Sequence, residues 1–277
     1  MKTRTVILLS AVCAIAVTNA AFRINLWKDF VSPQAVLSDS YRFQRDIPAI
    51  TPVNLGRPAE NTHDAANPEA AIWNISVLDT AANTEYLTDL EKDVILEMNK
   101  ARTNPKKYAE LYIQPRLSYY SGKYYSAPGQ ATKPTEEGAA AVHECIAVLN
   151  RVAAAGILKP EPGLSRAAKA HAADQGKTGH TGHTGSDRSS TEMRIKRYGK
   201  FNGSWAWAEN IAYGPVTGRD IVCNLLINDG ISDRSHRTSL LDKDFTQTGV
   251  GAGHHPRYFA ICVITYADGY TSYSALP

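Results

Sequence analysis

A few histidines and acids stand out because their types and settings suit cation or acid–base chemistry. His180 and His183 lie in the loop Gly179-His180-Thr181-Gly182-His183-Thr184-Gly185. Glu209 lies in Trp205-Ala206-Trp207-Ala208-Glu209-Asn210-Ile211-Ala212, a polar pair inside an apolar, aromatic stretch. His236 sits between Arg234 and Arg237, downstream of Asp229 and Asp233. A carboxylate set among Trp and Ile is costly to bury unless it is paired or metal-bound. Neutral imidazoles are suitable partners, and two His with one Glu make an open zinc shell with room for water. Spacing alone leaves plainer readings open: His180 solvated, His171 packed against a neighbouring helix, Glu209 a structural hydrogen-bond acceptor.

The common catalytic strings each fail by a residue or more. His143-Glu144-Cys145-Ile146-Ala147 begins as a zincin motif but lacks the second histidine four residues on. Gly163-Leu164-Ser165-Arg166-Ala167 lacks the final glycine of a nucleophile elbow. No glycine-rich string fits a phosphate loop or a dinucleotide turn.

The elements that must position these groups follow from local patterns. Lys2 and Arg4, an apolar run from Val6 to Val17, and small residues before a cut after Ala20 spell a signal peptide over 1–20. No later stretch reaches a membrane-spanning length. The mature protein is therefore expected to be secreted, extracellular or periplasmic, with no integral membrane segment after cleavage. Residues 21–83, with five prolines and no apolar period, read as an extended arm or linker, leaving 84–277 as the folded domain. There, Thr88-Asp89-Leu90-Glu91 is a capping box that opens a helix. Asn104-Pro105 stops that helix and starts the next. Leu117–Lys133 reads as a loop, and Thr135–Ala155 and Leu164–Gln175 as helices. Ser189-Ser190-Thr191-Glu192 and Thr217-Gly218-Arg219-Asp220 cap two more. Thr246–Gly253 and Tyr258–Ala267 read as a hairpin whose second strand is apolar on both faces, as a strand between layers must be. Helices first and a hairpin last predict an α+β layered domain.

Composition closes some routes. The protein has 277 residues, 43% of them hydrophobic, enough for a real core. A net charge of +3, lower still without Lys2 and Arg4, gives no case for nucleic acid. Export removes Cys13 and leaves Cys145, Cys223 and Cys262. Cys223 and Cys262 are the preferred disulfide pair, with three buried thiols as the alternative.

Several segments, in order, resemble the CAP superfamily of cysteine-rich secretory, antigen-five and pathogenesis-related proteins, in its bacterial form. They are Asn99-Lys100-Ala101-Arg102-Thr103-Asn104-Pro105, His183-Thr184-Gly185-Ser186-Asp187, Ala208-Glu209-Asn210-Ile211-Ala212-Tyr213-Gly214, His236-Arg237 and Thr248-Gly249-Val250-Gly251. The resemblance spans roughly Leu87 to Ala267. It implies an α-β-α sandwich with a cavity lined by two histidines and two acids that can hold Zn2+ or another divalent cation. Carried over by motif, the ligand set is His183, Glu209 and His236, with Asp229 as the nearest candidate for the second acid. The sequence departs from the pattern at Leu226, Ser235 and Arg188, where many members carry Trp, Gly and Gly.

No nucleophile–base pair appears, so the expected role is a non-enzymatic binding or signalling module. Its expected partners are a lipid or sterol, a glycan, or a host or cell-surface protein. A metal-assisted peptidase with Glu209 as base is the alternative from another class. The Tyr119-Tyr120-Ser121-Gly122-Lys123-Tyr124-Tyr125 loop suggests a third, adhesive reading in which rings face a sugar or partner.

Overall fold

The computed structural model describes residue 69 and residues 71–274. The expected signal peptide and most of the expected arm lie outside the described residues.

The caps read from sequence are formed. The Thr88 side chain accepts from the Glu91 amide while Glu91 reaches back to the Thr88 amide, opening α2 (Asp89–Thr103) after the short α1 (Ile75–Leu78). Asn104 then accepts from the Lys107 amide and starts α3 (Pro105–Tyr108). The backbone continues through a π turn and a 3₁₀ turn to Tyr119. The expected Tyr-rich loop is a small antiparallel sheet of β1 (Tyr120–Ser121), β2 (Tyr124–Tyr125) and β3 (Lys133–Pro134). The expected long alanine-rich helix is shorter, α4 (Ala139–Leu149). It is followed by β4 (Lys159–Pro160) and α5 (Pro162–Thr178).

Ser190, one residue later than the sequence pattern suggests, caps α6 (Thr191–Tyr198). β5 (Gly199–Tyr213) follows, then α7 (Gly218–Ile227) capped by Thr217, and α8 (Ser235–Leu241). The expected hairpin is β6 (Gln247–His255) with β7 (Phe259–Ser272). The main sheet runs β4-β6-β7-β5, antiparallel except for the short parallel β4–β6 pair.

β7 carries the layering. Cys262, Ile264 and Tyr266 pack with residues of α2 and α7, among them Val94, Met98 and Val222. Ile261 and Val263 pack on the other face with Ala168 and Ala172 of α5. This alternation buries both faces and makes the α-β-α sandwich. The glycines of Thr248-Gly249-Val250-Gly251 let α5 lie backbone-close on β6. A methyl at Gly249 would overlap the Leu164 carbonyl carbon, and one at Gly251 would overlap the Lys169 nitrogen.

Two residues of the first motif tie distant segments together. Asn99 donates to the Leu78 and Leu158 carbonyls and accepts from the Leu158 amide. Arg102, fully buried, donates to the carbonyls of Gly156, Leu240, Asp242 and Phe245.

Two expectations are corrected. The packed body begins before residue 84: Trp73, Leu78 and Ala81 are buried, and Trp73 stacks on Tyr112 at 6.3 Å between ring centres. Five prolines and a polar tract masked this short apolar strap. The Cys223–Cys262 bridge is not formed, and Cys145, Cys223 and Cys262 are free, buried thiols. Cys223 on α7 turns toward Tyr108 and the Tyr112 carbonyl, whereas Cys262 lies within β7, opposite Ala212 and Ala252.

Candidate functional site

α5 ends at Gly179 in a left-handed turn, which releases the His180–Gly185 loop. His171 and Gln175, one turn apart on α5, hold this loop by the Gly182 carbonyl, and the Tyr213 hydroxyl accepts from the Gly182 amide. Burial lowers the His171 pKa, so this ring is a neutral prop beneath the loop.

The loop brings His183 to Glu209 on β5. The His183 Nδ1 to Glu209 Oε1 distance is 2.9 Å. Glu209 is buried and also takes Thr191 Oγ1 at 2.8 Å and Arg194 Nη2 at 2.9 Å to each of its oxygens. The cap at Ser190 places Thr191 and Arg194 one turn apart on the same face of α6. Burial pushes the Glu209 carboxyl up. The hydrogen bond from His183 and the nearby charges of His183 and Arg194 outweigh it and hold the pKa below the ordinary value. An ionised carboxylate only accepts, so His183 Nδ1 carries the hydrogen and its Nε2 faces away from Glu209. The His183 side chain is 48% exposed.

His236 is positioned through its backbone. Asn228, left-handed at φ +55°, accepts from the His236 amide at 2.9 Å and the Arg237 amide at 3.3 Å. Asn210 donates to the His236 carbonyl at 2.9 Å. Glu209 and Asn210 thus divide the work by strand alternation: one side chain holds the His183 loop, the other holds α8. α8 is tied to α4 and the loop before it by Arg234–Glu137 and Arg237–Glu144. Burial, with the charge of His183 adding to it, lowers the His236 pKa to about 4, against the opposing pull of Asp233. His236 is therefore a neutral imidazole at neutral pH, near enough to His183 to feel its charge.

Asp229 does not join them. Its carboxylate accepts from the Glu136 and Glu137 amides, both at 2.8 Å, and pins the entry to α4. Among the described residues no group of three or more His, Cys, Asp or Glu stands ready to hold a metal. The four-ligand set implied by resemblance therefore does not fit: Asp229 is engaged elsewhere and Glu209 is claimed by Arg194. A smaller set remains: the neutral His236 imidazole, and His183 with the Glu209 carboxylate behind it, as in carboxylate–histidine–metal arrangements. Sequence reasoning missed Thr191, Arg194 and Asn228. The capped helix start at Ser190 was the one local signal for the first two.

The profile of the cysteine-rich secretory protein family, CAP, matches residues 98–266. The protein belongs to the CAP family. The matched span holds His183, Glu209 and His236, and it leaves out the Trp73 strap. Two solved structures are similar. An outer surface protein from Borrelia burgdorferi is 22% identical with a TM-score of 0.35, over 42% of this chain and 80% of that one. An extracellular protein containing an SCP domain from Bacillus anthracis str. Ames is 21% identical with a TM-score of 0.32, over 40% of this chain and 34% of that one. No curated protein matches significantly. Among the described residues no helix is long and apolar enough to cross a membrane.

Proposed function

We propose that this CAP-family protein is an exported, non-enzymatic binding module in which His183 and His236 hold a divalent cation, Zn2+ foremost. Glu209 serves as the outer anchor of His183. The carrying observation is the His183 Nδ1–Glu209 contact, which leaves Nε2 as the nitrogen to meet a ligand, near the neutral imidazole of His236. Such a cation would present an open coordination position to a partner. Lipid or sterol, glycan, and cell-surface protein remain the partner classes to assay. In the tyrosine loop Tyr125 is buried and Tyr119 and Tyr120 pack edge-on against it, leaving Tyr124 as the exposed ring of β2.

The hydrolase alternative changes its base. Arg194 and Thr191 occupy Glu209, so His183, oriented by Glu209, is the better acceptor of a proton from water.

The test is metal content and zinc affinity of purified residues 21–277 beside a His183→Ala/His236→Ala double variant. Stoichiometric metal lost in the double variant supports the reading. A folded wild type that binds none overturns it. Turnover of a peptide library that survives in Glu209→Gln and is lost in His183→Ala would move the protein to the hydrolase class.

A further inference from the structure

One exposed stretch of β5 holds chemistry that the binding site does not use. Asn202 and Gly203 lie near the start of β5, where the pairing with β7 shifts register between Phe201 and Ala206. Both residues are exposed. Gly203 has φ +64° and open space around its α-carbon. Asn202 Nδ2 donates to Thr271 Oγ1 at 2.8 Å.

A side-chain amide followed by glycine can react with its own backbone, because glycine puts no side chain in the path of the attacking nitrogen. Among the described residues Asn202 is the asparagine followed by glycine. Asn99, Asn210 and Asn228 are buried, hydrogen-bonded and followed by Lys100, Ile211 and Asp229. Asn104 precedes Pro105, which has no amide hydrogen. At Asp229-Gly230 the Gly230 amide is already donated to Glu137, at 2.9 Å.

We propose that Asn202 is a self-modification site, converting to aspartate and isoaspartate in the folded protein, with Thr271 as the residue that sets its rate. The Gly203 nitrogen attacks Asn202 Cγ and loses its proton to solvent. The new bond to Cγ forms as the Cγ–Nδ2 bond breaks, and the leaving nitrogen takes a proton from solvent and departs as ammonia, giving a succinimide. Water then adds to either ring carbonyl and opens it, giving aspartate or isoaspartate. No oxidant or cofactor is needed. The product places a new carboxylate on this exposed stretch and removes the donor to Thr271. Isoaspartate also lengthens the backbone by a methylene where the ladder with β7 is already irregular.

The test ages the folded full-length protein in mildly alkaline buffer and follows the peptide holding Asn202 by mass spectrometry in heavy-oxygen water. Conversion at Asn202, with incorporation of the heavy oxygen and both isomers present, is the expected result. Thr271→Val should convert several-fold faster than wild type, because nothing then holds the amide. Gly203→Ala, whose methyl has room although a φ of +64° strains any side chain, should convert several-fold slower. An Asn202 that stays intact in the folded protein, whether or not the urea-unfolded protein converts, overturns the proposal. Equal rates in wild type and Thr271→Val overturn the role given to Thr271.

Discussion

The two imidazoles are held in opposite ways. His183 is oriented by a buried ion pair: the side chains of Arg194 and Glu209 are 3% and 2% exposed. His236 is oriented by main-chain hydrogen bonds to Asn228 and Asn210, on a helix tied down by partly exposed pairs. Low dielectric strengthens the first support and makes it costly to break on one side. Water screens the ion pairs of the second, so its cap and hydrogen bonds matter more than its charges. One half of the site is thus a buried ionic lock, and the other is a backbone frame.

That contrast can be broken most severely at the lock. Arg194→Leu takes the guanidinium partner from the buried Glu209 and should cost about 3–5 kcal/mol in a denaturant titration. Arg194→Leu/Glu209→Leu should recover part of that loss. Next in size is the packing of α5, the helix that leads into the His183 loop. Gly251→Ala drives a methyl into the α5 backbone and should cost about 1–3 kcal/mol, read as a lower unfolding midpoint. The frame should yield less. Asn228→Ala removes the acceptor for two amides at the start of α8 and should cost about 1–2 kcal/mol. It should also broaden the His236 ring signals in NMR while leaving those of His183 sharp.

The smallest effect lies at the exposed pairs. Hydrogen bonds from Arg234, with help from the Gly230 amide and against burial, hold the Glu137 carboxyl down at about 2. A depressed carboxyl stabilises the fold above its unfolded pKa of 4.5, and that contribution fades as pH falls from there toward 2. Glu137→Gln should lower stability slightly at neutral pH and flatten part of the acid-side slope, so that denaturant midpoints of variant and wild type converge as pH falls toward 2.

What was legible in the sequence was local. Thr88, Asn104 and Thr217 act on amides three residues away, so their chemistry shows in the string itself. The two apolar faces of β7 showed the layering for the same reason. What was not legible depends on distant partners. Arg194 and Arg237 look like surface residues in sequence, yet both are buried. β5 alternates roles between two sides of a sheet, and in sequence its polar pair interrupted the strand pattern. The Trp73 strap has too few apolar residues to announce itself and gains its place from Tyr108 and Tyr112. Asp229 was the reverse case, a plausible ligand by position whose oxygens were already engaged in capping a loop.

Arg102 has a kinetic consequence. Its guanidinium gathers carbonyls from the loop after α4 and from the segment that leaves α8. Each acceptor is bound to a different nitrogen or position on one planar group, so releasing one loop strands a buried cation facing the other. The two loops therefore share a single opening event rather than fraying one at a time. Amide hydrogens near Gly156 and near Phe245, far apart in sequence, should exchange with solvent at one common free energy, forming a cooperative unit whose boundary is drawn by one side chain.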